Sequence, residues 1–310
     1  MQRKKNIRLS ISLVTLLLCI VLFFVFTNSK NNSLVDKGMF QLSNLETIDR
    51  FILESTKEKI ELKFDGSTWQ VDGRPADRQL ITVFFATLKQ TEAKREVATV
   101  LQDSLQKEII SHGIKISCFE GSHHLAKEFW TIGNAQKTET YFQLKGGKPY
   151  LVTIPGYRVY VASIFELATI DWRDKLVFNF NWQNIKDLQV TFANDGKQNF
   201  RASYQNKFFG IEGIASTDTT KLNNFMDALL QLRAERILSK AQAKPHDTLL
   251  AHKPIMEISI HDIANRDYTL KIFSTEKGKD FLVGKTNEDV VLLNPFSLKE
   301  VFRKRDFFVK

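Results

Sequence analysis

Beyond residue 40 the chain switches between apolar residues at every second position and apolar stripes at helical spacing, and it runs through the same succession twice. The first succession opens with Ile48-Asp49-Arg50-Phe51-Ile52-Leu53, alternates through Ile60, Leu62 and Phe64, reaches Asp65-Gly66 and resumes at Trp69 and Val71. Period-two spacing around Asp-Gly predicts a β-hairpin. The second opens with Ile185-Lys186-Asp187-Leu188-Gln189-Val190, alternates through Phe200, Ala202 and Tyr204, turns near Gln205-Asn206 and resumes at Phe208.

Each hairpin is followed by a helical stripe. In the first copy Leu80, Val83, Phe84 and Leu88 share a face behind candidate caps at Asp72 or Asp77; in the second, Leu222, Phe225, Met226, Leu229 and Leu230 do so behind Ser216, Thr217 and Asp218. A one-sided apolar helix needs a sheet to cover. Alternating segments at Ile114 to Phe119 and Glu128 to Gly133 supply it in the first copy, and Ile255 to Ile260 and Tyr268 to Phe273 in the second. Further short strands are predicted at Tyr141 to Leu144, Tyr150 to Ile154, Asp280 to Gly284 and Val290 to Leu293. Short helices follow over Val161 to Leu167 and Pro295 to Phe302. The fold class is α+β: two tandem related domains, residues 41–180 and 181–310, each an antiparallel sheet with helices on one face. Their boundary falls near Asn179 to Asn184.

The first forty residues follow another rule. Arg3, Lys4, Lys5 and Arg8 precede an uncharged apolar run from Leu9 to Phe26, eighteen residues. As a helix that run spans roughly 27 Å, close to the ~30 Å of a bilayer's hydrocarbon core. It exits through Phe23-Phe24-Val25-Phe26 and Thr27-Asn28-Ser29-Lys30 without the small-residue pattern that cleavage requires, so it reads as a retained signal anchor. Leu18 before Cys19 stands where a lipid-anchored signal needs a small residue. The basic flank places residues 1–8 in the cytoplasm, 9–26 in the membrane and everything beyond outside. Residues 27–40 form the tether. No other apolar run is long enough to span, so the expectation is a single-pass protein of a bacterial inner membrane with most of its chain periplasmic.

Composition narrows the partners. Of a net charge of +9 the basic head carries four, leaving a mild surplus scattered among acids, as in Lys57-Glu58-Lys59 and Arg233-Ala234-Glu235-Arg236. That pattern lacks the basic face of a nucleic-acid binder. Cys118 is the one cysteine outside the anchor, so stability must come from packing, with 25 phenylalanines to fill cores.

Candidate chemistry is sparse. His112, Cys118, His123 and His124 lie close in sequence, but their spacing matches no zinc motif, and alternation puts Cys118 with the buried positions Ile114 and Ile116. Nucleophile elbow, metalloprotease helix, phosphate loop and dinucleotide fingerprint are all absent from the sequence. Gly146-Gly147 reads as a hairpin turn. Arg173-Asp174, after Trp172, presents a planar donor set suited to carboxylate or phosphate, and Arg305-Asp306 is read as its counterpart, which favours a role in the fold. The sequence therefore points to no catalytic, cofactor-binding or metal-ligating residue.

Residues from about Ile48 to Phe178 nevertheless resemble a bacterial family, the domain of unknown function DUF4340. The carriers are the helix before Glu92, His112-Gly113-Ile114, Trp130-Thr131-Ile132-Gly133, the run Ile154-Pro155-Gly156-Tyr157-Arg158-Val159-Tyr160-Val161, and Asp171-Trp172-Arg173-Asp174. The resemblance implies a membrane-anchored envelope protein, with some members associated with auxiliary components of gliding-motility-type ABC transporters. It carries over no catalytic residue. The expected function is a non-enzymatic interaction or accessory module outside the membrane, working with a membrane-protein partner. The alternative is a periplasmic module that binds a glycan, lipid or peptide in a cleft between the repeats, and a third is an enzyme with an unfamiliar site.

Overall fold

The computed structural model describes residues 13–21, 35–42, 44–121, 123–205, 208–274 and 280–310. Residues 13–21 form a helix, α1, whose Leu13, Val14, Leu16, Leu17, Leu18, Ile20 and Val21 are all exposed. No helix of the described residues is long and apolar enough to cross a membrane. The basic head and residues 9–12 and 22–26 of the expected anchor lie outside the described residues.

The fold is α+β, with two antiparallel sheets and few helices. The chain divides into two compact units: Met1–Phe64 with Gln79–Glu166, and Asp65–Arg78 with Leu167–Lys310. The first sheet is built from β1 (Ile48–Glu54), β2 (Lys59–Phe64), β3 (Trp69–Val71), β4 (Arg74–Pro75), β5 (Glu92–Glu96), β6 (Ile114–Glu120), β7 (His124–Gly133), β8 (Thr140–Leu144) and β9 (Pro149–Thr153), in the order β4-β3-β2-β1-β6-β7-β8-β9-β5. Helices α2 (Arg78–Gln90) and α3 (Thr99–His112) flank β5 in sequence. The second sheet takes β10 (Ile185–Phe192), β11 (Phe200–Gln205), β12 (Phe208–Ile211), β13 (Arg236–Ile237), β14 (Met256–Asp262), β15 (Asp267–Phe273), β16 (Leu282–Thr286) and β17 (Val290–Leu293), in the order β12-β11-β10-β14-β15-β16-β17-β13. Helix α4 (Thr219–Leu230) and the short α5 (Lys240–Ala243) and α6 (Asp247–Leu250) complete it.

With β4 set aside, the two orders match strand for strand. α2 between β4 and β5 corresponds to α4 between β12 and β13. The match extends to an irregularity: β1 slips register against β6 between Ile48 and Arg50, and β10 slips against β14 between Ile185 and Asp187. A bulge is a local feature of backbone pairing, so its recurrence at the second residue of the leading strand is a fine-grained coincidence of geometry.

Packing in the first unit centres on phenylalanines. Phe51 of β1 meets Phe84 of α2 edge-on with ring centroids 5.0 Å apart, and Phe129 and Phe142 lie 4.8 Å apart with Phe165 against both. Each buried ring contributes about 1.5–3 kcal/mol through area removed from water. The stripe of α2 is turned relative to the predicted one: Ile81, Phe84 and Leu88 are buried, with Phe84 set against Phe51 of the sheet, whereas Val83 is half exposed. In the second unit Leu222, Phe225, Met226 and Leu229 of α4 are buried as spaced, with Phe225 beside Phe200 and Phe308 at 5.7 and 5.4 Å. Asp218 caps α4, accepting from Lys221 N at 3.1 Å. The segment Pro295 to Phe302 is a run of turns, and regular 3₁₀ structure appears instead at Arg305–Phe308.

Entry into the first unit is stapled. Phe40 is 1% exposed and packs on Phe142 at 5.4 Å. Lys127 Nζ donates to Met39 O at 3.0 Å and Gln41 O at 2.6 Å, Leu42 N donates to Leu88 O, and Ala93 N donates to Lys37 O. Burial lowers the Lys127 pKa, and the two carbonyls supply what water would.

Candidate functional site

The fold pulls the histidine and cysteine cluster apart. His112 ends α3 with Nδ1 2.8 Å from Ser111 Oγ, and His123 and His124 stand exposed at the entry to β7. Cys118 is fully buried on β6, where burial pushes its thiol up to about 12 against the opposing pull of Lys127. A thiol held protonated is a poor nucleophile. Among the described residues no group of three or more His, Cys, Asp or Glu side chains is placed to hold a metal ion. Gly146 takes φ of +69° and Gly147 N donates to Leu144 O at 2.9 Å, which makes the pair the turn between β8 and β9.

The Arg-Asp pairs are not counterparts. Trp172 O accepts from Asp77 N at 2.7 Å just before α2, and Phe308 O accepts from Asp218 N at 2.8 Å just before α4. Trp172 and Phe308, both fully buried, close short 3₁₀ turns at Thr169–Trp172 and Arg305–Phe308. The equivalent of Trp172-Arg173-Asp174 is therefore Phe308-Val309-Lys310, and Arg305-Asp306 falls one turn too early. Arg305 instead donates to Gly213 O at 2.8 Å, and Asp306 accepts from Gln198. Arg173-Asp174 is peculiar to the first copy.

In the second unit Arg173 grips Asp289 with both terminal guanidinium nitrogens, Nη1 to Oδ1 at 3.1 Å and Nη2 to Oδ2 at 2.5 Å. Arg74 reaches the same carboxylate at 3.3 Å and Glu288 at 2.5 Å. Arg233 links Asp77 and Asp174, each at 2.8 Å. Arg74, Arg173, Asp174, Glu288 and Asp289 border a cavity of about 590 Å³ whose wall also includes Lys175, Asp267, Tyr268 and apolar Leu176, Val177, Ile237 and Val291. The position of Asp289 is set by the β16 to β17 turn, where Thr286 N donates to Asp289 O at 2.8 Å and Asp289 N to Thr286 Oγ1 at 3.0 Å. Nothing in Asn287-Glu288-Asp289 distinguishes it in sequence from an ordinary polar turn. Beyond the wall, Asp187 is nearly buried; burial would push its carboxyl up, but hydrogen bonds from Arg201 at 3.0 Å and His261 at 2.8 Å outweigh this and hold it below its usual range.

A family model described as Domain of unknown function (DUF4340) matches residues 69–254. The chain belongs to that family. No curated protein matches the chain. The DUF4340 match starts at β3 and runs past Phe178 to residue 254, just beyond α6, so it reaches well into the second copy. The residues that carry the family likeness do packing and turn work. Gly133 lies against the Tyr160 ring so closely that a Cβ there would stand 1.6 Å from the hydroxyl oxygen, and that hydroxyl donates to Glu166. Gly113 ends α3 where a Cβ would meet Ile109 O at 2.3 Å, and Gly156 supplies φ of +80°. Of the residues on which the likeness was read, Arg173 and Asp174 line the cavity, Arg173 paired with Asp289 and Asp174 with Arg233.

Proposed function

We propose that this DUF4340 protein is a non-enzymatic accessory module, anchored in a bacterial inner membrane through residues 9–26 and presenting two duplicated α+β domains outside it to a membrane-protein partner, an ABC-type transporter being the class the family likeness suggests. The observation that carries the reading is α1: seven large apolar side chains between 49% and 61% exposed on one helix. A helix apolar on all sides needs apolar surroundings, and the uncharged run continues beyond it in both directions. The matching strand orders and bulges support descent of the two domains from one unit. The test is alkaline extraction of membranes followed by mild crosslinking and detergent pull-down of the full chain. Retention in the membrane pellet and one recurrent crosslinked membrane protein are expected; release at high pH, or an uncrosslinked chain under several conditions, would refute the proposal.

A second reading, a module that binds a small ligand, draws support from the cavity of the second unit, whose volume falls in the range of about 300–1,000 Å³ usual for ligand sites.

A further inference from the structure

We infer that the cavity of the second unit is a saccharide site sized for one or two sugar rings. The inference rests on the second reading above and adds the class of ligand. It starts from charge. Arg173 and Arg74 are spent on Asp289 and Glu288, Asp174 is spent on Arg233, and Asp267 Oδ1 lies 3.7 Å from His261 Nε2. Of the charged side chains on the wall, Lys175 has no ion pair among the described residues, and Asp267 faces an imidazole that is a counter-charge only when protonated. A ligand bearing several charges would have to give up water and find its counter-charges already engaged, which is costly in a partly buried site.

A hydroxyl-rich neutral ligand meets no such obstacle. Each hydroxyl both donates and accepts, whereas a carboxylate offers roughly four lone-pair positions, more than the three guanidinium contacts made to Asp289. Asp289 thus keeps acceptor capacity beyond the contacts that hold it. Tyr268, half-buried and braced by Phe180 with ring centroids 6.3 Å apart, supplies an aromatic surface for the apolar face of a sugar, and Leu176, Val177 and Ile237 extend it. At the ~30 Å³ that a water occupies, 590 Å³ corresponds to roughly twenty water-sized groups, the scale of a disaccharide. On this arrangement Tyr268 stacks, Asp267, two-thirds exposed at the rim, accepts from ring hydroxyls, and Lys175 donates.

The test is calorimetric titration of the full chain in detergent with N-acetylglucosamine, chitobiose, maltose and cellobiose, alongside inorganic phosphate and dialanine. Saturable binding of at least one saccharide is expected, weakened tenfold or more by Tyr268→Ala and about fivefold by Asp267→Asn. Because Tyr268 is half-buried, Asp267→Asn probes the site without touching the core, and urea unfolding of both variants verifies the fold. Saccharide affinity unchanged in both variants, or absent throughout, overturns the inference. Phosphate or dialanine bound in place of sugars and lost on Lys175→Ala also overturns it, but leaves the ligand-binding reading standing.

Discussion

Replacing Asp289 by alanine removes the acceptor of three guanidinium contacts at once: Arg173 at 3.1 and 2.5 Å and Arg74 at 3.3 Å. Exposure decides the magnitude. An open surface pair is worth about 0–1 kcal/mol, and breaking a fully buried one costs about 3–5 kcal/mol because a charge is stranded. With the Arg173 side chain 14% and the Asp289 side chain 21% exposed, the pair sits between these limits and nearer the buried one. The bidentate geometry adds to it. Asp289→Ala should cost about 2–3 kcal/mol. Arg173→Met should cost about 1–2 kcal/mol, since Asp289 then keeps Arg74. The assay is urea unfolding of the full chain in detergent, followed by tryptophan fluorescence, for both single variants and the double variant. The cycle should return a coupling of about 1.5 kcal/mol, smaller in 0.5 M salt. A coupling below about 0.5 kcal/mol, or an Asp289→Ala variant within about 0.5 kcal/mol of the parent, would refute the claim that this pair holds the cavity wall.

Three more outcomes follow from particular contacts. Gly133→Ala should destabilise by about 1–3 kcal/mol, because the Tyr160 ring must move off Glu166, and the cost should drop below about 1 kcal/mol in a Tyr160→Ala background; equal costs in both, read from urea midpoints, would show that the close approach does not matter. Cys118 should react with a disulfide reagent at pH 8 only after denaturant is added, and fast labelling of the native chain would contradict its burial. Asp187 has a folded pKa below its ordinary 3.8, so its stabilising contribution is complete above that value and is lost as pH falls through the folded one. The acid limb of a stability profile should therefore flatten in Asp187→Asn, and an unchanged limb below about pH 4 would argue against the network.

How much of this was legible in sequence depended on whether an element declares itself through its own residues. α4 did, because four core contacts recur at helical spacing. α3 did not: of fourteen residues only Ile109 is buried, while the apolar Val100, Leu101 and Ile110 are exposed, so its apolar positions do not mark one buried face. β5, Glu-Ala-Lys-Arg-Glu, buries only Ala93 and exists because β9 offers it a ladder, a fact about the partner strand. The duplicated order was visible, yet the equivalence of Trp172 with Phe308 was not, since it is written in two backbone hydrogen bonds rather than in shared residue types. Arg173 was singled out from sequence, but its acceptor lies 116 positions on, in a turn of ordinary composition.

The staple at residues 37–42 determines how tension reaches the first unit. A pull on the chain ahead of Lys37 does not peel β1 from its end. It first meets the Lys37 carbonyl on β5, the buried Phe40 ring, the Lys127 ammonium on β7 and the Leu42 amide at the end of α2. These attachments must be released before strain reaches β1, so the junction acts as a strain relief, like the grip where a cable enters its housing.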